Sequence, residues 1–496
     1  MKLTKQAIRA AIFLLLAVMS VGVVLGRPNI VFIMADDLGY GDLQCYAPDS
    51  KIPTPYLNEL AAKGMRFTDA HSGSAVCTPT RYGVITGRYS WRTEMKRGVL
   101  NGYSPPLIKR DRLTVGGMLQ EAGYNTACIG KWHLGLDWTI LDDSNPKLPK
   151  VDYSKPLKDG PTARGFDYFF GISASLDMSP YCYIENDLVT MAPTIAEAAS
   201  PFPKYWREGE RSDDFVMVEV LDVLAEKVDE YIQERAATRE PFFLYMPLPA
   251  PHKPIIESDE FAGKTELGPY GDFVMQVDAT VGKVLVSLDA AGVADNTLVM
   301  VTSDNGSFMY HTPDEAEDHV DDPSIQAYSR RDSNAPLRGT KADVWDGGHR
   351  VPFIARWPGV VEAGSVCDVP ICHVDLMATC VEVAGVKGLP RDAAEDSFSL
   401  VPLLETGKWG KVKRAPVVHH SGGGMFAIRD GKWKLVFGSG SGGREKPSGK
   451  RWEQPYHLFD MEADIGETEN LYEANPEVAQ ELEAAMLELM AEGRSR

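Results

Sequence analysis

Residues 77–88 combine the side chains needed to attack and to bind an anionic group, in the pattern Cys-x-Pro-x-Arg followed by Thr-Gly-Arg. Pro79 suits the first turn of a helix, because the N–H that proline lacks would have no partner there. A helix beginning near Cys77 places that side chain beside free backbone N–H groups and the positive end of the helix dipole. Arg81 follows one turn later on the same face. A single cysteine is more often a small buried apolar residue, so the predicted anion site rests on the whole run.

Acidic and amide side chains follow two predicted buried strands, at the point where each strand ends. Asp36 and Asp37 come directly after one apolar run, and Asp304 and Asn305 follow another after a single serine. Open α/β sheets bind their ligands at the carboxyl ends of the strands. Carboxylate and amide oxygens are hard donors that suit calcium or magnesium better than zinc. Either motif alone is equally typical of a turn, so the predicted metal site depends on both occurring together.

Basic side chains also follow predicted strands. Lys131 and His133 come just after one strand, and His252 and Lys253 come after another. Lys341 precedes the glycine-containing segment WDGGHRVP. Taken singly, each is more often a surface lysine or a hydrogen-bonded histidine. Their shared placement near strand ends favours a positively charged pocket instead.

Together these motifs resemble the signature of the type I sulfatases, arylsulfatase-like enzymes of the alkaline phosphatase superfamily. The resemblance runs through ordered motifs from Arg27 to Pro358. Thr80 stands where the commonest signature has serine. His349 stands where the family usually has an aliphatic residue, and we take it as structural or as part of the pocket rim.

The resemblance implies a modified nucleophile and a metal. Cys77 would be oxidised by a formylglycine-generating or sulfatase-maturating enzyme to formylglycine (3-oxoalanine). Its hydrate would attack the sulfur of a sulfate ester, and its second hydroxyl would allow sulfate to be expelled. The metal is usually calcium, with magnesium as the alternative, and its implied ligands are Asp36, Asp37, residue 77, Asp304 and Asn305.

The resemblance also assigns the binding of the ester. Arg81, Lys131 and Lys341 would hold the sulfate oxygens. His252 is the expected general acid on the leaving oxygen, and His133 is expected to assist the release of sulfate. We expect further substrate contacts from a set of less secure positions: Ser175, Lys253, Trp91, Arg92, residues 177–183 and the loop 311–331.

The expected activity is removal of sulfate from a sulfated polysaccharide or oligosaccharide. One alternative is a phosphonate monoester or phosphodiester hydrolase of the same superfamily. Another is a secreted glycan-binding protein that has lost catalysis, which would need an unmodified Cys77 and a missing metal ligand. Every ligand position is filled here.

Apolar runs alternating with helical patterns predict an α/β protein with a large mixed, mostly parallel sheet flanked by helices. The resemblance implies an alkaline-phosphatase-like sandwich. We expect a catalytic domain over residues 27–385 and a small α+β C-terminal subdomain over residues 386–496. Predicted strands are 29–34, 125–129, 242–246 and 297–302, with 415–420, 425–429 and 433–437 in the subdomain. Predicted helices are 57–63, 114–121, 213–234, 273–290 and one starting at Pro476, with a linker at 438–443 and loops at 142–161 and 311–336.

The N-terminus and the composition indicate an exported protein. Basic residues precede an apolar run from Ala10 to Leu25, which predicts a signal peptide over residues 1–26. The alternative, a membrane anchor, would need a longer run. The remaining six cysteines permit disulfides without specifying them. With a net charge of −19 among 496 residues, no nucleic-acid surface is expected. We therefore expect a periplasmic or extracellular bacterial protein without a stable membrane span in the mature chain.

Overall fold

The computed structural model describes residues 26–309 and 333–496. Its strands, in chain order, are β1 (Asn29–Asp36), β2 (Met65–Phe67), β3 (Ala70–His71), β4 (Asn125–Lys131), β5 (Ile140–Asp142), β6 (Lys150–Val151), β7 (Tyr168–Ile172), β8 (Ile184–Glu185), β9 (Leu188–Val189), β10 (Ile195–Glu197), β11 (Gly209–Arg211), β12 (Phe242–Pro251), β13 (Thr297–Ser303), β14 (Phe353–Arg356), β15 (Ser365–Cys367), β16 (Ile371–Cys372), β17 (Val417–His420), β18 (Phe426–Asp430), β19 (Trp433–Val436) and β20 (His457–Asp460).

The α-helices are α1 (Pro55–Ala62), α2 (Cys77–Thr86), α3 (Val115–Glu121), α4 (Val220–Thr238), α5 (Gly268–Ala290), α6 (Asp346–His349), α7 (Leu376–Val383), α8 (Val401–Thr406) and α9 (Pro476–Glu492).

A ten-stranded mixed sheet forms the centre, in the order β15-β2-β14-β13-β1-β12-β4-β7-β8-β9. Its middle strands are parallel, with Ile30 of β1 opposite Phe243 of β12 and Leu298 of β13. Every residue of β1 is buried, which explains why its sequence is a continuous apolar run. The predicted α/β architecture with a mostly parallel sheet is confirmed.

Helices cover both faces of this sheet. Because successive side chains of a strand point to opposite faces, Val31 and Ile33 pack into one apolar cluster and Ile30 and Phe32 into another. The first cluster includes side chains of α1, α4 and α5. The second includes side chains of α2, α3, α7 and α8. The sheet and its two helical layers thus form a three-layer structure with β1, β12 and β13 in the middle layer.

The C-terminal part is a four-stranded antiparallel sheet, β17-β18-β19-β20, with α9 packed on it. The predicted strands and terminal helix are confirmed, while β20 was missed because its four residues carry too short an apolar pattern. The predicted linker at 438–443 is wrong, because its glycines are packed closely. A Cβ added to Gly438 would lie 2.0 Å from the Met425 sulfur, and one added to Gly443 would lie 2.2 Å from the Ala342 oxygen.

Other expectations are corrected or stay open. The helix predicted at 213–234 begins at Val220, because a backbone turn at Ser212–Phe215 and a 3₁₀ turn at Met217–Glu219 come first. All seven cysteines are free thiols.

The domain boundary at residue 385 stays a prediction. Most of the predicted signal peptide, and the predicted loop 311–336 as far as residue 332, lie outside the described residues. Among the residues that are described, no helix is both long and apolar enough to cross a bilayer.

Trp91 and Arg92 join the two parts of the chain. The Trp91 ring stacks on Tyr89 and meets Phe426 edge-on. The Arg92 guanidinium lies 2.7 Å from the Asp396 carboxylate, with side-chain exposures of 3% and 0%. Because both side chains pack against other parts of the chain, we do not retain Trp91 and Arg92 as substrate contacts.

We predict that Arg92→Ala lowers the free energy of unfolding by about 3–5 kcal/mol, because it leaves the Asp396 carboxylate buried and unpaired. Arg110→Ala is the matched control, since the Arg110 side chain is 73% exposed where it pairs with Asp159. The control loss should stay below about 1 kcal/mol. Urea unfolding followed by tryptophan fluorescence measures both, and equal losses would contradict the assignment.

Candidate active site

The carboxyl ends of β1 and β13 bring the predicted acidic residues together. Asp36 is the last residue of β1, and Asp304 directly follows β13. The Asp304 N–H donates to the Ala35 carbonyl at 3.0 Å, which continues the pairing of the strands by one residue. Asp37 has a left-handed backbone, with φ of 64°. Its N–H donates to Asp304 Oδ1 at 3.2 Å, so the turn and the neighbouring carboxylate hold each other.

Each buried carboxylate is paired with a cation from a different part of the chain. Lys131 Nζ, at the end of β4, lies 2.5 Å from Asp36 Oδ2. Lys341 Nζ, from the loop before α6, lies 2.8 Å from Asp37. Arg81, from α2, donates to Asp304 Oδ2 through Nη2 at 2.7 Å and Nε at 3.1 Å. The predicted acidic and basic residues therefore converge in one pocket.

The helix α2 begins at Cys77, as the position of Pro79 predicts. The Cys77 sulfur lies 3.5 Å from Asp36 Oδ1 and 3.5 Å from Lys341 Nζ. Burial, followed by the Asp304 carboxylate, raises the pKa of the Cys77 thiol despite the nearby lysines. The thiol therefore stays protonated at neutral pH, and an unmodified Cys77 is a poor nucleophile.

Burial and neighbouring charges change the pKa values of two of the carboxylates. Burial and the Asp36 carboxylate raise the pKa of Asp304 to about 6, against the effect of Arg81. Burial alone would also raise the pKa of Asp36, but Lys131, His252 and Arg81 hold it well below its usual range. Repulsion between the carboxylates thus persists although each is paired with a lysine or arginine, and a cation bound among them would relieve it.

Two histidines each present a free ring nitrogen. His252 Nδ1 lies 2.5 Å from the Lys253 carbonyl, which can only accept a hydrogen bond, so Nε2 carries the lone pair in the neutral ring. That Nε2 lies 3.7 Å from Asp37 Oδ2. His133 Nε2 donates to the Leu100 carbonyl at 2.9 Å, which leaves Nδ1 as the acceptor. Burial lowers the pKa of both histidines, so both rings are neutral at neutral pH.

Four buried polar atoms in and beside this pocket lack a hydrogen-bond partner among residues 26–309 and 333–496. They are Asn305 Oδ1, Ser175 Oγ, His133 Nδ1 and Asp177 Oδ1. The Asn305 amide N–H donates to Asp37 Oδ1 at 2.6 Å, which turns the amide oxygen away from that carboxylate. Buried polar groups are rarely left unpaired, so these atoms are candidates for contact with a ligand.

The same pocket has the donors for a hard cation. Asp36, Asp37, Cys77 and His252 each offer an atom within 4.8 Å of the others. The free oxygen of Asn305 and the Asp304 carboxylate add hard donors at the same strand ends. The oxygen donors among these residues, on Asp36, Asp37, Asp304 and Asn305, fit calcium or magnesium.

The structure also locates the remaining predicted residues. Lys253 is half-buried, with its ammonium 3.9 Å from the centre of the Tyr205 ring. His349 is structural, since its Nδ1 lies 3.1 Å from Nδ1 of His71 in a fully buried cluster. Sequence reasoning missed Arg207, which contacts Asp177, because its segment carries no motif.

The fold and the pocket define a hydrolase of anionic esters, and comparison with known proteins identifies the family. The model of the Sulfatase family matches residues 28–386. An N-acetylgalactosamine-6-O-sulfatase of Bacteroides thetaiotaomicron is 32% identical over 500 residues, which cover 92% of each chain. Human arylsulfatase A is 33% identical over 503 residues, which cover 95% of this chain and 90% of its own.

A solved structure from work on glycosaminoglycan metabolism by Bacteroides thetaiotaomicron has the same fold. It aligns with a TM-score of 0.81 and 30% identity, covering 94% of this chain and 99% of that chain. The chain belongs to the sulfatase family and is a sulfuric ester hydrolase.

We predict that Arg81→Lys lowers kcat for 4-nitrophenyl sulfate by about 10²–10³-fold, because one ammonium cannot replace the guanidinium donors. Arg88→Lys is the control from the same sequence run, since Arg88 pairs with Glu395 at 3.2 Å instead. It should keep most of the activity. Circular dichroism checks that both variants fold, and a folded Arg81→Lys protein with wild-type kcat would refute the role of Arg81.

Proposed function

We propose that this sulfatase removes sulfate from sulfated carbohydrates, using a formylglycine at position 77 and a divalent cation at the ends of β1 and β13. The observation that carries the proposal is the position of Cys77. Its sulfur marks where the formylglycine oxygen would lie, at a helix N-terminus and 3.5 Å from both Asp36 and Lys341. A nucleophile at this point faces both the metal ligands and the cations.

Modification of Cys77 is supported by the chemistry of the unmodified residue. A buried thiol with a raised pKa has little thiolate at neutral pH. Once formed, the hydrated aldehyde supplies an oxygen nucleophile and a second hydroxyl for release of the product. The proposal therefore requires a maturating enzyme as a partner of the newly made chain.

The cation would be held by Asp36, Asp37, Asp304 and Asn305 together with residue 77, and we propose calcium, with magnesium as the alternative. The unpartnered Asn305 amide oxygen supports it, and so does the raised pKa of Asp304, which is caused by burial and then by the nearby Asp36 carboxylate. When bound, the cation supplies Lewis-acid polarisation of sulfate oxygens. It would also release the lysine and arginine side chains from full engagement with the carboxylates.

Arg81, Lys131 and Lys341 bind the sulfate group and stabilise the negative charge on its oxygens in the transition state. The Lys341 ammonium is within 3.5 Å of the nucleophile position, so it also holds the two reacting groups near each other. Ser175, whose hydroxyl is buried without a partner among the described residues, would donate to one sulfate oxygen.

His252 protonates the leaving oxygen through Nε2, which faces the pocket because Nδ1 is engaged by the Lys253 carbonyl. Burial and the Lys341 ammonium lower the pKa of His252. An anionic substrate bound between His252 and Lys341 would raise the pKa of His252 again. His133 Nδ1 is the acceptor that removes a proton from the residue-77 hydroxyl as sulfate leaves.

A carbohydrate is the proposed leaving group. The bacterial relative is by name a sulfatase of N-acetylgalactosamine esters, and the solved neighbour comes from work on glycosaminoglycan metabolism. Lys253 at the pocket mouth suits a further anionic group on such a substrate. Export through the predicted signal peptide would place the enzyme where such polymers occur.

Replacing the nucleophile should abolish turnover. We predict that Cys77→Ala and Cys77→Ser fold normally but release no sulfate from an aryl sulfate or a sugar sulfate, because alanine cannot form the aldehyde and a maturating enzyme that oxidises the cysteine thiol leaves the serine hydroxyl unchanged. Cys45→Ala is the control, since Cys45 is half-buried and lies outside the pocket. Ion chromatography of released sulfate measures all three. Full sulfate release by a folded Cys77→Ala protein would contradict the proposed mechanism.

Removing a metal ligand should abolish stabilisation by calcium. We predict that adding calcium to the chelator-treated wild type raises its melting temperature, because a ligand that binds only the folded state stabilises it. Asn305→Ala should lose this increment at calcium concentrations that saturate the wild type. Asn470→Ala is the control, since Asn470 accepts from Leu458 N–H at 3.0 Å in the C-terminal part. It should melt lower yet keep the increment.

Equal calcium increments in the wild type and Asn305→Ala would exclude Asn305 as a ligand. Repeating the titration with magnesium identifies the preferred cation, because the ion that binds more tightly gives the larger increment at the same concentration.

A further inference from the structure

Asp177 lies beside the pocket and has no part in the proposed chemistry. It follows Ser175 by two residues after β7, and its side chain is only 1% exposed. Its Oδ1 lies 4.0 Å from His252 Nδ1 and has no hydrogen-bond partner among the described residues. Leaving a buried charged oxygen without a donor is costly, so this atom is built to receive a donor from a ligand.

The other contacts of Asp177 hold it in place. Arg207 Nε lies 3.2 Å from Oδ2 and occupies that oxygen. The Asp177 carbonyl accepts from the Arg207 N–H at 3.1 Å and from the Tyr181 hydroxyl at 3.0 Å. The Arg207 side chain is 50% exposed, so Asp177 lies where the buried pocket meets its mouth. Oδ1 is the one carboxylate oxygen left to offer.

Asp177 is not the group that orients His252. The separation of 4.0 Å is too long for a hydrogen bond. The Nδ1 hydrogen of His252 is already donated to the Lys253 carbonyl at 2.5 Å. The Lys253 carbonyl therefore orients His252, the proposed general acid. The free oxygen of Asp177 needs another explanation.

We propose that Asp177 Oδ1 accepts a hydrogen bond from a hydroxyl group of the leaving sugar and so selects sulfated carbohydrates over simple aryl sulfates. This inference rests on the proposed carbohydrate substrate. His252 Nε2 faces the sulfate position, 3.7 Å from Asp37, and Asp177 lies near the opposite ring nitrogen. A sugar ring attached to the leaving oxygen would extend past His252 and bring a ring hydroxyl to Asp177. A plain aryl ester has no hydroxyl to donate.

Kinetics on two kinds of ester test the proposal. The sugar probes are the methyl glycosides of N-acetylgalactosamine 6-sulfate and galactose 6-sulfate, with the 3-deoxy and 4-deoxy form of each, and the aryl probe is 4-nitrophenyl sulfate. For the sugar that is cleaved faster, Asp177→Ala should lower kcat/KM by about 10- to 100-fold, and Asp177→Asn by less, because the amide is a neutral acceptor. Both variants should hydrolyse the aryl sulfate like the wild type.

The deoxy sugars locate the hydroxyl. One of the two deoxy forms should be cleaved equally by the wild type and Asp177→Ala, because the hydrogen bond is missing in both cases. Asp214→Asn is the matched control, since this exposed carboxylate accepts from Thr190 Oγ1 at 2.7 Å away from the pocket. It should behave like the wild type on every ester.

Three results would overturn the proposal: an equal loss on sugar and aryl esters, a full difference between Asp177→Ala and wild type on both deoxy sugars, or no loss of sugar cleavage in Asp177→Ala. Wild-type cleavage of the sugar without any loss in Asp177→Ala would refute the subsite but leave the proposed function standing. Wild-type cleavage of the aryl sulfate alone would contradict the carbohydrate substrate itself.

Discussion

Three buried carboxylates at the ends of two adjacent parallel strands set the main constraint on this protein. Asp36, Asp37 and Asp304 have no exposed surface. Burying a charge is very costly unless an opposite charge accompanies it. The fold therefore delivers Arg81, Lys131 and Lys341 from a helix, a strand end and a loop. This balance also fits the proposed function, because a divalent cation and an anionic ester would enter together without leaving the pocket strongly charged.

The C-terminal part supports the same pocket from behind. Lys434 of β19 lies 2.7 Å from both Asp346 of α6 and Glu467, with all three side chains fully buried. Asp343 accepts from the Arg444 and Glu445 N–H groups at 2.5 and 3.1 Å. These contacts fix the segment that carries Lys341. The C-terminal part thus fixes the position of Lys341, for which we propose a role in binding sulfate.

Sequence patterns predicted the parts of this site that depend on local structure. The apolar runs before Asp36 and Asp304 predict strands, and Pro79 predicts a helix start at Cys77, because each signal lies within a few residues of its effect. Trp91 and Arg92 show where such reasoning fails. Arg92 forms an ion pair with Asp396, 304 residues later, and no local pattern reveals that partner. The prediction of a linker at 438–443 is wrong for the same reason, since the surface that its glycines contact comes from a distant segment.

The most direct test of the account relates turnover to the chemical state of residue 77. Preparations made with different amounts of a maturating enzyme would be compared by peptide mass spectrometry, in which conversion of Cys77 appears as a mass loss close to that of one water molecule. Sulfate release per molecule should increase in proportion to the converted fraction and extrapolate to zero when none is converted. Substantial turnover by fully unconverted protein would contradict the central claim.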